Sequence, residues 1–291
     1  MVYILSAFIG EVKEIIDSYE LKKIEGAKFD VFEGEVLTLV ISGQGLVKAA
    51  AAVGFLGGYY ELTPGDIIIN FGICGADSSS DEAIKIERGD VILVNKIIER
   101  ETKKSFYPDM LIKKDVFEGC LVSAMTPVTK QDLMKADGKH NSNTQMFYDM
   151  EAAAIYQAAS NFVGPHQMAF VKVVSDFGEK IGPQDVRNVV AAAFCRVKSF
   201  IDRCISISKE NDSSDLMVIN EKTEEVVEKL SVDMKCSKTM TDLLRQLIKY
   251  QVMEKTNYEE VIDDMYKEGW LPCKSKKEGK VCLENLKQRL L

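Results

Sequence analysis

The chain has 291 residues, of which 46% are hydrophobic and 28% charged, with a formal net charge of −8 and a pI near 5.1. Net acidity excludes the global positive field that gathers nucleic-acid phosphates, so nucleic acid is not an expected partner. No apolar run approaches the ~18 residues a membrane-spanning helix needs, and "MVYILSAFIGEVKEI" has neither the basic region nor the cleavage site of a secretory signal, so a cytoplasmic protein is expected.

The first part of the chain alternates strand-like and helical runs. "VYILSAF" (2–8) is a short run of strand formers, and "GEVKEIIDSY" (10–19) has helical spacing at Val12, Ile15 and Ile16. "VLTLVISG" (36–43) reads as a buried strand ended by glycine, followed by a small-residue helix in "LVKAAAAVGFLGGYY" (46–60). "DIIINFGICGA" (66–76) is a central strand running into a glycine turn, and "GDVILVNKIIE" (89–99) and "GCLVSAM" (119–125) are further strands. "FYDMEAAAIYQAA" (147–159) has the length and residues of a helix. "MAFVKVVSDF" (168–177) is a buried strand, and "PQDVRNVVAAAFCRVKSFIDRCI" (183–205) is an amphipathic closing helix. Near-continuous apolar strands mixed with helices predict an α/β fold with a sheet covered on both faces.

The character changes at the polar stretch "SKENDSSDL" (208–216), which reads as a linker. Residues 217–291 carry only helical runs, and "TNYE" (256–259) fits a capping box of Thr256 with Glu259. The expected organisation is a domain over 1–207, a linker over 208–216 and three or four helices over 217–291. In that tail Leu243, Leu244, Leu247 and Ile248 form an apolar stripe read as core, and Lys274, Lys276, Lys277 and Lys280 read as a solvated basic loop.

Seven cysteines, an odd number with no CxxC pair, read as free thiols. His140 and His166 are far apart, so no metal site is expected, and no cofactor.

Four stretches stand at predicted strand ends or strand-to-helix turns, where ligands bind in α/β sheets. In "SAFIGEV" (6–12), Glu11 is either a functional acid or a first-turn acid complementing the helix dipole. In "NFGICGA" (70–76), Gly72 and Gly75 permit close backbone approach, or simply make a tight turn. The Gly-Lys-Ser/Thr ending of a phosphate-cradling loop is missing from it. In "FYDMEAAA" (147–154), Glu151 precedes a core-like alanine run, where a carboxylate is costly without partners; the plain alternative is a helix-start acid facing solvent. In "VKVVSDFG" (171–178), an apolar strand ends on Ser175-Asp176, with Asp176 either functional or capping the next turn.

Taken together, "SAFIGE", "SGQGLVKAAAAV", "NFGICG", "MEAAA" and "VVSDFG" resemble, in order and rough spacing, the motifs of the nucleoside phosphorylase superfamily. The nearest branch is the 5′-methylthioadenosine/S-adenosylhomocysteine nucleosidases, and the resemblance covers about residues 1–205. It implies a three-layer fold with a central mixed sheet flanked by helices, a homodimer, and a nucleoside ligand. Asp176, held by Ser175, is implied as the general acid that protonates the leaving base. Its proton is expected to be held by burial. Glu11 is implied to orient or deprotonate the attacking water, and Glu151 to grip the ribose hydroxyls beside Met150. Gly75 is implied to let backbone amides approach the ligand. Phe8 and Ile73 are implied to line the pocket, Val128 to offer contacts to the base, and Phe106 and Tyr107 to line a neighbouring subunit's 5′ pocket. Asp149 gains no support and reads as a helix-start residue.

Hexameric purine phosphorylases carry an arginine and a serine around the glycine turn where this chain has Asn70 and Ile73, and Glu11 would repel phosphate. Water is therefore the expected nucleophile. A phosphorylase, or a non-catalytic nucleoside binder with a partner-docking tail, stands as the alternative. This sequence departs from the family pattern at Ile73, at Lys172 where arginine is common, and across 125–146 where the base-binding loop should fall. Methylthioadenosine, S-adenosylhomocysteine, 5′-deoxyadenosine and a futalosine-like nucleoside all stay open.

Overall fold

The computed structural model describes residues 1–77, 85–109, 116–132, 145–211, 214–253 and 256–290. The chain divides into two compact units, Met1–Asn211 and Asp212–Leu291.

The first unit carries one mixed sheet of ten strands: β1 (Val2–Ser6), β2 (Lys22–Lys23), β3 (Asp30–Glu33), β4 (Leu37–Ile41), β5 (Ile67–Ala76), β6 (Val91–Glu99), β7 (Ser105–Phe106), β8 (Phe117–Ser123), β9 (Met146–Asp149) and β10 (Met168–Asp176). Its helices are α1 (Ile9–Ser18), α2 (Leu46–Tyr59), α3 (Ala152–Ala159) and α4 (Pro183–Asn211). The spatial order is β10-β6-β8-β9-β5-β1-β4-β3-β2, and β10 also pairs with β5. Strands β5, β10, β6, β8 and β9 therefore close into a ring, from which β1, β4, β3 and β2 extend as a wing. Parallel pairing of β1 with β4 and β5, and of β5 with β10, brings the ends of β1, β5 and β10 together.

Strand periodicity builds two cores. Successive side chains of a strand point to opposite faces. Thus Val2 and Ile4 join the core under α1 and α4, and Tyr3 and Leu5 join the core under α2 and α3. Residues Phe71 and Phe170 take opposite faces in the same way. Each such side chain contributes ~1.5–3 kcal/mol on burial. Helices α2 and α3 bury small residues, Ala49 and Ala52 on one and Ala152 to Ala154 on the other. Side chains that small let the helices lie close to the sheet and to each other.

The run 147–159 is not helical throughout: its first three residues belong to β9, and α3 starts only at Ala152. The stretch expected as a linker is helical up to Asn211 and again from Ser214. Short polar β2 and β3 lacked the apolar run that marks a strand in sequence.

The second unit has α5 (Ser214–Asp233), α6 (Lys238–Met253), α7 (Tyr258–Lys267) and α8 (Lys276–Leu290). Leu230, Met234, Leu244, Ile248, Met265 and Leu286 form its core. Of the stripe on α6, Leu244 and Ile248 are buried whereas Leu243 is exposed. Lys274, Lys276, Lys277 and Lys280 are all exposed. Thr256 does not cap α7: the cap position is Asn257, and the Thr256 hydroxyl donates to Gln251 Oε1 at 2.7 Å.

Gly279 sets the distance between α8 and the end of α5. A Cβ there would lie 1.7 Å from the Met234 carbonyl oxygen. Backbone cannot swing aside as a side chain can, so Gly279→Ala is expected to destabilise this unit by ~1–3 kcal/mol or more. Denaturant unfolding followed by circular dichroism checks it; an unchanged midpoint would show that the helices reseat freely.

Candidate active site

The sequence delivers the site through strand ends. β1 stops at Ser6 and the chain turns through Ala7 and Phe8 into α1, whose third residue is Glu11. Glu11 is buried, and its carboxylate accepts four hydrogen bonds. Three reach Oε2, from Ser6 Oγ at 2.6 Å and from the backbone N–H groups of Ala7 and Phe8 at 3.1 Å each. Oε1 accepts the Ile73 N–H at 3.2 Å. The Phe8 bond is half of a capping box, so Glu11 does cap its own helix. The Ile73 bond reaches beyond that helix into β5, which the plain capping reading does not predict. Gly72 makes this approach possible, since a Cβ on it would stand 3.2 Å from Glu11 Oε1.

β10 supplies Ser175 and Asp176. The pairing with β5 slips here: Val174 faces Cys74 and Asp176 faces Gly75, so two residues oppose one in a bulge. Neighbours on a regular strand point apart. Here Ser175 Oγ lies 2.7 Å from Asp176 Oδ2 and 3.1 Å from the Cys74 carbonyl oxygen. Asp176 Oδ1 accepts the Gly178 N–H at 2.9 Å. Ser175 is buried, whereas Asp176 is only half-buried, in contrast to the burial expected for it.

The third wall is the turn from β9 into α3, where two acids on either side of Met150 divide the labour. Asp149 Oδ2 accepts the Ala152 N–H at 2.9 Å, and Ser123 Oγ accepts that of Ala153 at the same distance. These satisfy free donors of the first helical turn. Glu151, though it occupies the cap position, makes no side-chain cap bond. Its Oε1 accepts the Gly45 N–H at 2.8 Å instead, at the start of α2. Burial first, and then Asp149 beside it, pushes the Glu151 carboxyl up to about 7; Lys172 and the Gly45 amide pull the other way.

Asp149 serves the start of α3, as the sequence suggests, and has a second role that the sequence reading missed. It is buried and paired with Lys172 at 2.9 Å, and its Oδ1 accepts Ser123 Oγ at 2.5 Å. The signal was in "FVKVVS": a lysine inside an apolar strand has to find a counter-charge in the interior. Ser6, Gln44, Gly45 and Ser123 also support the site and were not singled out from sequence.

A cleft of about 280 Å³ lies among these groups, lined by Glu11, Glu151, Asp176, Met150, Ser175 and Gly75. That is close to the lower end of the ~300–1,000 Å³ typical of small-molecule sites. Phe8, Ile73 and Val128 also line it. Phe106 and Tyr107 do not. Phe106 stacks on Tyr156 with ring centroids 5.2 Å apart, and Tyr107 is exposed under Lys96. Cys74 reaches the cleft, but burial pushes its thiol far up, which disfavours a thiolate nucleophile. His166 is exposed and away from the cleft, and His140 lies outside the described residues. Among the described residues, no group of three or more His, Cys, Asp or Glu side chains is placed to hold a metal.

Solved structures with this architecture decide the fold. A nucleosidase from Neisseria meningitidis, in complex with methylthio-immucillin-A, superposes with a TM-score of 0.55 at 19% identity over 69% of this chain and 97% of its own. One from Streptococcus pneumoniae with 8-aminoadenine gives 0.57 at 19%, over 71% and 99%. One from Colwellia psychrerythraea with adenine gives 0.56 at 18%, over 71% and 94%. The fold is that of the 5′-methylthioadenosine/S-adenosylhomocysteine nucleosidases. No protein-family model and no curated protein matches the chain. The nucleosidase fold is thus carried by three-dimensional likeness, with the expected mixed sheet between two helix layers in place. All lining residues of the cleft belong to the unit that bears this fold.

Proposed function

We propose that this protein hydrolyses the N-glycosidic bond of an adenine nucleoside of the methylthioadenosine, S-adenosylhomocysteine or 5′-deoxyadenosine type. One observation carries the reading: Glu11, Glu151 and Asp176, far apart in sequence, line a single cleft. Water adds to the anomeric carbon as its bond to the base breaks, and the base departs with a proton. Asp176 is assigned the proton delivered to the base, with Ser175 fixing its carboxyl. Glu11 orients the water and accepts its proton. Glu151 accepts hydrogen bonds from the ribose hydroxyls, with Met150 against the sugar and Phe8, Ile73 and Val128 as apolar walls. Gly75 leaves room for ligand beside Asp176.

Charge supports water over phosphate as the nucleophile. Among the described residues the cleft is lined by Glu11, Asp149, Glu151, Asp176 and Glu179, against one exposed lysine, Lys180. An anion bound there would lack the cationic donors phosphate sites use. The reading includes a cytoplasmic homodimer, in which Phe106 and Tyr107 approach a second copy's cleft; sedimentation of the purified chain tests the dimer.

The deciding experiment incubates the full chain with each candidate nucleoside, with and without phosphate, and measures free adenine. Release without phosphate is expected. Release only with phosphate would make it a phosphorylase, and no release from any nucleoside would favour a binding protein.

A further inference from the structure

Lys172 is the one buried lysine or arginine among the described residues, with its side chain 2% exposed, and the chemistry above makes no use of it. Burying an ammonium is costly unless it is paired. Its partner Asp149 is fully engaged: Oδ2 is shared between Lys172 Nζ and the Ala152 N–H, and Oδ1 takes the Ser123 hydroxyl. Asp149 thereby fixes the backbone at Ala152, the residue directly after Glu151. Three acids, Asp149, Glu151 and Glu11, all favour the ammonium form of Lys172.

We propose that Lys172 is a positioning residue of this cleft: its ammonium, acting through Asp149, draws Glu151 toward the anionic form and holds it aimed at the ligand. The inference deepens the nucleosidase reading and rests on it for the ligand. Glu151 is faced by Asp149 from β9, Lys172 from β10, Glu11 from α1 and the Gly45 amide at the start of α2. Asp176, Glu179 and the exposed Lys180 line the same cleft. Among these, Lys172 alone is a buried cation. Without it, two or three carboxylates would face each other out of water, and the one nearest neutrality would keep its proton.

The test is a carbon-13 NMR titration of protein labelled at the glutamate carboxyls, with the Glu151 resonance assigned by its loss in Glu151→Gln. In the unaltered protein Glu151 is expected to titrate near neutrality. In Lys172→Met the midpoint is expected to rise by about one pH unit or more, as loss of an adjacent opposite charge implies. Lys172→Arg is expected to restore the original midpoint. The double variant Lys172→Met with Asp149→Asn is compared with Asp149→Asn alone, and its midpoint is expected to lie above that of the single variant. An unmoved midpoint in Lys172→Met overturns the inference. Where that variant does not fold, this second comparison decides, and equal midpoints overturn it. The acidic limb of adenine release is expected to move with the midpoint. An unaltered protein that releases no base would sink the nucleosidase reading alone, since the NMR comparison needs no turnover.

Discussion

Asp176→Asn is expected to lower the rate of base release by about 10²–10⁴-fold, the range a positioned general acid supplies, while adenine binding stays largely intact. The surrounding bonds explain the separation. The asparagine oxygen can still accept the Gly178 N–H, now held at 2.9 Å. Its NH₂ would face Ser175 Oγ, which can turn its own proton to the Cys74 carbonyl 3.1 Å away and accept instead. The cleft keeps its shape and loses only the transferable proton. Single-turnover release measured beside calorimetric titration with adenine reads both effects. Full activity would remove Asp176 from the acid role, and parallel loss of binding would make it a structural residue.

Glu11→Gln is expected to cost both activity and stability. Set with its oxygen at the Oε2 position, glutamine keeps the bonds from Ser6, Ala7 and Phe8, but its NH₂ then opposes the Ile73 N–H. One donor left unsatisfied in a buried site costs ~1–3 kcal/mol. Release should fall about 10²-fold or more through loss of the base that activates water. Thermal unfolding and base release, measured on one preparation, separate the readings. Lower stability with full activity would leave Glu11 as a helix cap and nothing more.

Much of this architecture was legible because apolar strands and small-residue helices obey different periods. Val2 to Leu5 and Ile67 to Phe71 declare a sheet buried on both faces, and Ala49, Ala52 and Val53 declare a closely packed helix. Glu11, Glu151 and Asp176 were legible for a related reason: each is an acid at the end of an apolar segment, where burial demands partners. What stayed hidden depends on pairing across the chain. The role of Asp149 depends on Lys172 and Ser123, both more than twenty residues away. From sequence alone Asp149 reads only as a helix-start acid, and helix propensity favoured the wrong start for α3. The packing of Phe106 on Tyr156 was hidden in the same way, since it joins residues fifty positions apart. The closed ring of strands was equally illegible, because β9 is too short to carry a pattern and β5 pairs with different strands along its length.

The bulge near the end of β10 limits how this sequence can drift. Along a regular strand, substitutions change one side chain at a time, whereas a change in length inverts every side chain beyond it. Ser175 is the surplus residue that puts a hydroxyl beside the acid. Deleting one residue between Val174 and Asp176 would restore even alternation and turn the carboxylate from its present neighbours. Related chains that share this chemistry should therefore vary in residue type along β10 yet keep its count between Lys172 and Gly178, tolerating insertions and deletions elsewhere on the surface first.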